Sequence, residues 1–177
     1  MEKKLQYNNK FFSLLGYFIT GSFILAPSMV LAANPATTTF QVKTTVLKAC
    51  TVAATTMDFS NYDPLSNTPL DITNSVNITC TKNTSYTVAL NAGTTSGGTC
   101  AQRRLAESGE GADTMKYNIY TDNTHTSIWG DGTGGSITQT GSGSGTSQTL
   151  TGYGRIPAGQ YCEPNNYTDT VTITVTY

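Results

Sequence analysis

The sequence predicts an all-β fold, a β-sandwich. Three observations carry that reading: apolar residues recur with period two along most of the chain, turn-forming clusters separate the periodic runs, and no convincing helical stretch follows the first 32 residues. The clearest run is the last one. Val171, Ile173, Val175 and Tyr177 alternate with Thr170, Thr172, Thr174 and Thr176. Successive side chains of a strand point to opposite faces, so this segment is expected to be half buried and half solvated. Val76, Ile78 and Cys80 repeat the pattern, as do Tyr86, Val88 and Leu90. Tyr117, Ile119 and Ile128-Trp129 mark further strands, and Phe40, Val42, Thr44 and Val46 mark the first. Between them lie Asp63-Pro64, Asn67-Thr68-Pro69, Asn91-Ala92-Gly93, Ser96-Gly97-Gly98 and Pro157-Ala158-Gly159, which read as turns. Ala101 to Gly109 is the best candidate for one helical turn, and the Gly- and Ser-rich stretch from Gly130 to Gly145 reads as a flexible surface loop.

The N-terminus predicts the compartment. Lys3, Lys4 and Lys10 precede an apolar stretch from Phe11 to Leu25, followed by Pro27 and the small-residue run Val30-Leu31-Ala32-Ala33. That is the pattern of a secretory signal peptide over residues 1–32, cleaved after Ala32 or Ala33. The run is too short and interrupted for a comfortable membrane span, and no second apolar segment is long enough, so the mature chain is expected to have no stable membrane insertion. About 145 residues remain, one domain able to bury a core. A formal net charge of −1, with Arg103-Arg104 as an isolated basic pair, argues against nucleic acid as a partner. Charged residues are only 12 %, and Thr, Ser, Asn and Gly carry the surface, which suits an exported β-protein.

Cys50, Cys80, Cys100 and Cys162 all lie in the exported part. An even count in an oxidising compartment reads as two disulfides, with three pairings open. A metal site is not expected: no cysteine pair has knuckle spacing, and His125 is the single histidine. One carboxylate, Asp131, among glycines falls short of a calcium site. Catalytic candidates are equally thin. His125 reads as a solvated turn residue, and Glu107, Glu110 and Asp113 sit in one polar loop with nothing apolar to perturb them. With no GxSxG and no phosphate-binding glycine motif, neither an enzyme nor a cofactor is expected.

Along the mature chain, Phe40-Gln-Val42, Cys50-Thr-Val52, Met57-Asp-Phe59-Ser-Asn-Tyr62-Asp63, Val76-Asn-Ile78-Thr-Cys80 and Tyr86-Thr-Val88-Ala-Leu90-Asn-Ala-Gly93 follow one another. Arg104-Leu105, Tyr117-Asn-Ile119-Tyr120-Thr-Asp122, Trp129-Gly130, Tyr153-Gly154-Arg155-Ile156 and the run from Tyr167 to Tyr177 come after them. In this order the segments resemble the spore coat protein U domain family, the subunit fold of archaic chaperone–usher pili. The insert Cys162-Glu-Pro-Asn-Asn is a departure from the family pattern. The resemblance implies an incomplete immunoglobulin-like β-sandwich over residues 49–177, completed by donor-strand exchange. It implies a donor strand within residues 33–48, presenting Phe40, Val42, Thr44 and Val46, and an acceptor groove walled by Val171, Ile173, Val175 and Tyr177. It also implies the pairing Cys50–Cys80; Cys100 and Cys162, both in expected loops, are then expected to pair with each other, which gives the departure at Cys162 its partner. The expected partners are identical or sister pilin subunits, a periplasmic chaperone and an outer-membrane usher, in a cell-surface pilus serving adhesion and biofilm formation. A receptor-binding tip adhesin and a spore or cyst coat protein are the alternatives. Family tip subunits usually carry an added binding domain, so a single domain favours a shaft subunit.

Overall fold

A computed structural model describes residues 34–109 and 112–177. The expected signal peptide lies outside the described residues, as does Glu110. The chain divides after Lys43 into two units. Of the first, residues 34–43 are described; they form no regular element, and their side chains are exposed.

The second unit is built of strands, with no helix among the described residues. They are β1 (Cys50–Ala54), β2 (Leu70–Cys80), β3 (Ser85–Leu90), β4 (Arg103–Glu107), β5 (Thr114–Tyr120), β6 (Gln139–Ser142), β7 (Gln148–Ile156), β8 (Tyr167–Thr168) and β9 (Ile173–Thr176). One sheet has the order β1-β2-β7-β5-β4-β8 and the other β6-β3-β9. Every pairing between these named strands is antiparallel. Two antiparallel sheets with their apolar faces turned together make a sandwich of immunoglobulin-like order. The period-two residues supply the core: Val76, Ile78 and Cys80 from β2, Tyr86, Val88 and Leu90 from β3, Tyr117 and Ile119 from β5. Trp129 is fully buried at the centre, and its indole N–H donates to the Val88 carbonyl at 3.1 Å.

Several expectations are corrected. Ala101 to Gly109 is not a helical turn; it contains β4, which pairs Arg103 with Tyr117 and Ala106 with Thr114. Sheet pairing and the burial of Arg103 override the helix-favouring composition. The Gly- and Ser-rich stretch is not simply a loop, because it contributes edge strand β6. Gly141 of β6 stands opposite Tyr86, and a Cβ there would collide with the Tyr86 phenol ring, so a glycine is what the packing needs. No strand forms across Phe40–Val46; the first begins at Cys50. Ile128 and Trp129 make only isolated bridges, to Tyr120 and Ile137. The final strand starts at Ile173 rather than Thr170, because the amides of Thr170 and Thr172 are held by the side chains of Asp169 and Asn91.

His125 is not a solvated turn residue: its side chain is 7 % exposed. Its ring meets those of Tyr120 and Tyr153 edge-on, with centroids 5.1 and 6.4 Å apart. The Asp122 carboxylate accepts from the amides of Thr124, Thr126 and Ser127, and this tight turn, with His125 at φ 56°, folds the imidazole back on the sheet.

Cys50 and Cys80 are bonded as cross-strand partners of β1 and β2. Cys100 and Cys162 are free, which corrects the second expected disulfide. Cys100 lies before β4, with its thiol at the Leu90 carbonyl; Cys162 lies beside Thr114, which pairs with Ala106. The thiols therefore sit at opposite ends of the β4–β5 ladder. Arg103 to Ala106 alone spans about 10 Å at strand rise, beyond the reach of a disulfide.

Candidate functional site: an open groove between two edge strands

The sandwich is uncovered along one side. β1 pairs only with β2 and β9 only with β3 among the described residues, so each keeps one free edge. Between these edges lies a groove of about 280 Å³. One wall is Ala54 and the segment running through Met57 to Phe59; the other runs from Asp169 to Ile173. Core side chains form its floor, among them Val76, Leu90, Ile119 and Trp129. Val52 measures the gap. It stands opposite Ile78, which is fully buried, yet is itself 41 % exposed although directly opposed residues share a face. An apolar floor between two unpaired backbone edges is what a missing strand leaves behind.

The structure brings two of the four expected wall residues, Val171 and Ile173, to the groove. Val175 packs on the core beyond it, and Tyr177 is half exposed beside Tyr86 and Thr140 on another part of the surface. Sequence reasoning missed the facing wall. The signal was present in Cys50, Val52 and Ala54, which continue the period-two pattern into the groove. On the other segment, Phe40 and Val42 are 86 and 85 % exposed, and Val46 and Leu47 are exposed as well.

One end of the groove is polar and tightly tied. Asp169 Oδ1 accepts from the amides of Thr94, Thr95 and Thr170, and Oδ2 accepts from the Tyr117 hydroxyl at 2.7 Å. Gly93, at φ 88°, makes room for this carboxylate, which a Cβ would overlap. Burial alone would raise the Asp169 carboxyl, but the hydrogen bonds from Tyr117 and the three amides outweigh it and hold it below the ordinary carboxylate range. Burial, and then Asp169, push the Tyr117 phenol up. The sign for stability follows. A carboxyl whose folded value is depressed stabilises above its unfolded value and loses that contribution as pH falls through the folded one. Thermal unfolding followed from pH 7 to pH 2 is expected to show a steep acid limb that flattens in Asp169→Asn; an unchanged limb would remove Asp169 from this role.

Behind that end, the Arg103 guanidinium is fully buried and makes no ion pair among the described residues. It donates to the carbonyls of Asn91, Leu90 and Trp129 and to Asn118 Oδ1, so one side chain ties β3, β5 and the Trp129 segment together. The remaining candidates stay local. Glu107 and Asp113 accept from amides and side chains of their own neighbourhood, including Asn165 and Glu163, and Asp131 accepts from Thr133. Among the described residues no group of three or more His, Cys, Asp or Glu is placed to hold a metal.

A family model described as the Spore Coat Protein U domain matches residues 36–174. No curated protein matches. Among solved structures, the chain is similar to a chain of the crystal structure of the CsuC-CsuE chaperone-tip adhesion subunit pre-assembly complex, from archaic chaperone-usher Csu pili of Acinetobacter baumannii. The two are 25 % identical with a TM-score of 0.57, over 75 % of this chain and 41 % of that one. The chain thus spans about two-fifths of the length of the chain it matches.

Proposed function

The chain belongs to the Spore Coat Protein U domain family, and from that premise we propose that it is a structural subunit of a chaperone–usher surface pilus. The observation that carries the proposal is the groove: a sandwich with an apolar floor exposed between the free edges of β1 and β9. Such a domain is incomplete by one strand, and the remedy is β-strand addition, in which backbone hydrogen bonds supply affinity and alternate side chains fill the pockets. The exposed alternation of Phe40, Val42, Thr44 and Val46 has the form of the strand that would be lent. In this reading the subunit is exported, received in the periplasm by a chaperone that fills the groove, and passed through an outer-membrane usher. At the cell surface the segment of the next subunit takes the chaperone's place, and the fibre serves adhesion and biofilm formation. The structural role requires no catalytic residue. The solved complex gives a second reading, a tip adhesion subunit; labelling along the fibre rather than only at its end separates the two.

The test is the dependence of the subunit on a strand donor. Produced in the periplasm alone, the mature chain is expected to aggregate or be degraded. Co-produced with a pilus chaperone of this class, it is expected to yield a soluble one-to-one complex. A stable monomer obtained without any partner would overturn the proposal.

A further inference from the structure

Resting on the reading of the groove as a strand acceptor, we propose that Asp169 is a positioning residue for strand capture: it holds the groove wall from Thr170 to Ile173 in place, and acid that neutralises it releases a bound strand. Ladder pairing with β3 secures only Ile173 to Thr176. Ahead of Ile173 the wall is tied by side chains. Thr172 gives its amide to Asn91 Oδ1 at 2.8 Å, and its carbonyl accepts from the Asn91 amide at 3.1 Å. Burial alternates along this stretch as in a strand, so the backbone groups of Val171 and Ile173 turn to the opposite side, the open edge. Thr170 donates its amide to Asp169 Oδ1 at 2.9 Å. The start of the wall therefore depends on where the Asp169 carboxylate sits.

That carboxylate is anchored on two other elements. Oδ1 accepts from the amides of Thr94 and Thr95 at 2.8 and 3.1 Å and lies within 3.2 Å of their hydroxyls. Oδ2 accepts from the Tyr117 hydroxyl of β5. The Tyr117 ring in turn meets Phe59 of the facing wall edge-on, with centroids 6.3 Å apart. Tyr117 is thus a strut between the two walls, and Asp169 fastens one of them to it. The three amides can only donate. A proton on Oδ1 finds no acceptor among them, and a proton on Oδ2 reverses the Tyr117 bond and takes the phenol hydrogen from its acceptor. The charged groups nearby do not relieve this. The Arg103 guanidinium of β4, bonded to the Asn91 carbonyl, attracts the ionised form, and Asp58 of the facing wall is turned onto the Ser60 amide. The tie is complete at neutral pH. Because its hydrogen bonds hold the carboxyl below the ordinary range, the tie is lost only as pH falls beneath that range.

The one-to-one complex of the mature chain with a pilus chaperone tests this through its release rate from pH 7 to pH 2. Wild-type release is expected to accelerate at least about tenfold below the ordinary carboxylate range. Asp169→Asn presents an amide nitrogen to Tyr117 at every pH, so it is expected to release at the fast rate already at pH 7, with no further step. Tyr117→Phe keeps the ring against Phe59 but removes one bond that holds the carboxyl down, so its step is expected at higher pH. Asp113→Asn is the control: that carboxylate is also depressed, by the amides of Glu163 and Thr114, but does not line the groove, and the wild-type profile is expected. A wild-type profile in Asp169→Asn, an unmoved step in Tyr117→Phe, or the loss of the step in Asp113→Asn would overturn the inference. Should Asp169→Asn yield no soluble complex, Tyr117→Phe decides alone. If the wild type forms no complex with the chaperone at pH 7, the strand-acceptor reading falls and takes the inference with it. If it does and the profiles coincide, only the inference falls.

Discussion

Arg103→Ala is expected to leave no stable domain. The guanidinium is fully buried and satisfies three backbone carbonyls and the Asn118 side chain. Truncation opens a large void and takes a donor from all four acceptors, of which only the Leu90 carbonyl, which keeps the Cys100 thiol, and Asn118 Oδ1, which keeps the Ile119 amide, retain another. Each unsatisfied buried group costs about 1–3 kcal/mol, so a loss of about 5 kcal/mol or more is expected, the size of a small domain's whole stability. Burial pulls the Arg103 guanidinium below its ordinary value, against the pull of Tyr117 and Asp169 nearby. Arg103→Lys keeps the charge but loses the planar fork that reaches several acceptors at once, and an intermediate loss is expected. Denaturant unfolding of chaperone-released or peptide-completed subunits reads both changes. Wild-type stability in Arg103→Ala would mean that the four acceptors are satisfied by something other than this side chain.

Phe40→Asp/Val42→Asp is expected to abolish polymerisation while leaving the chaperone-bound subunit folded. Burial of each large apolar side chain in a neighbour's groove contributes about 1.5–3 kcal/mol, so the pair removes about 3–6 kcal/mol per junction before any penalty for placing two carboxylates against an apolar floor. At 1.4 kcal/mol per tenfold, the junction weakens by at least about a hundredfold. The groove of the variant is built from residues 54 onward and is untouched, so its complex with the chaperone should form normally. Electron microscopy for fibres, with size-exclusion chromatography of the chaperone complex, reads the two halves of the expectation. Normal fibres from the double variant would exclude these residues as donor anchors.

The strands found at β2, β3, β5 and β9 were legible because each carries its own alternation, and alternation follows from strand geometry without reference to the rest of the fold. β4 was not. Arg103-Arg104-Leu105-Ala106-Glu107 is rich in good helix formers, and only pairing with β5 and β8 makes it a strand. β6 was hidden inside the Gly- and Ser-rich stretch, and the purpose of its Gly141 becomes visible once Tyr86 lies across it. Arg103 and Arg104 looked alike as an isolated basic pair, yet one is fully buried and the other reaches outward to the Gly97 carbonyl and Thr114. The site was half legible: the pattern of β9 pointed to one wall, while the wall beyond β1 and the polar clamp at Asp169 depend on contacts between residues far apart in sequence.

By itself, the sequence determined the all-β class, the inward and outward sets of most strands, and the exposed-type alternation of Phe40, Val42, Thr44 and Val46. These are local consequences of period two. Tertiary structure alone decided that Cys100 and Cys162 stay apart, that His125 is buried between two tyrosines, and that the edges of β1 and β9 remain free over an apolar floor. The physical reason is the same in each case. Which edge goes unpaired, and which polar group is enclosed, is set by long-range pairing between strands tens of residues apart, and no local periodicity carries that information.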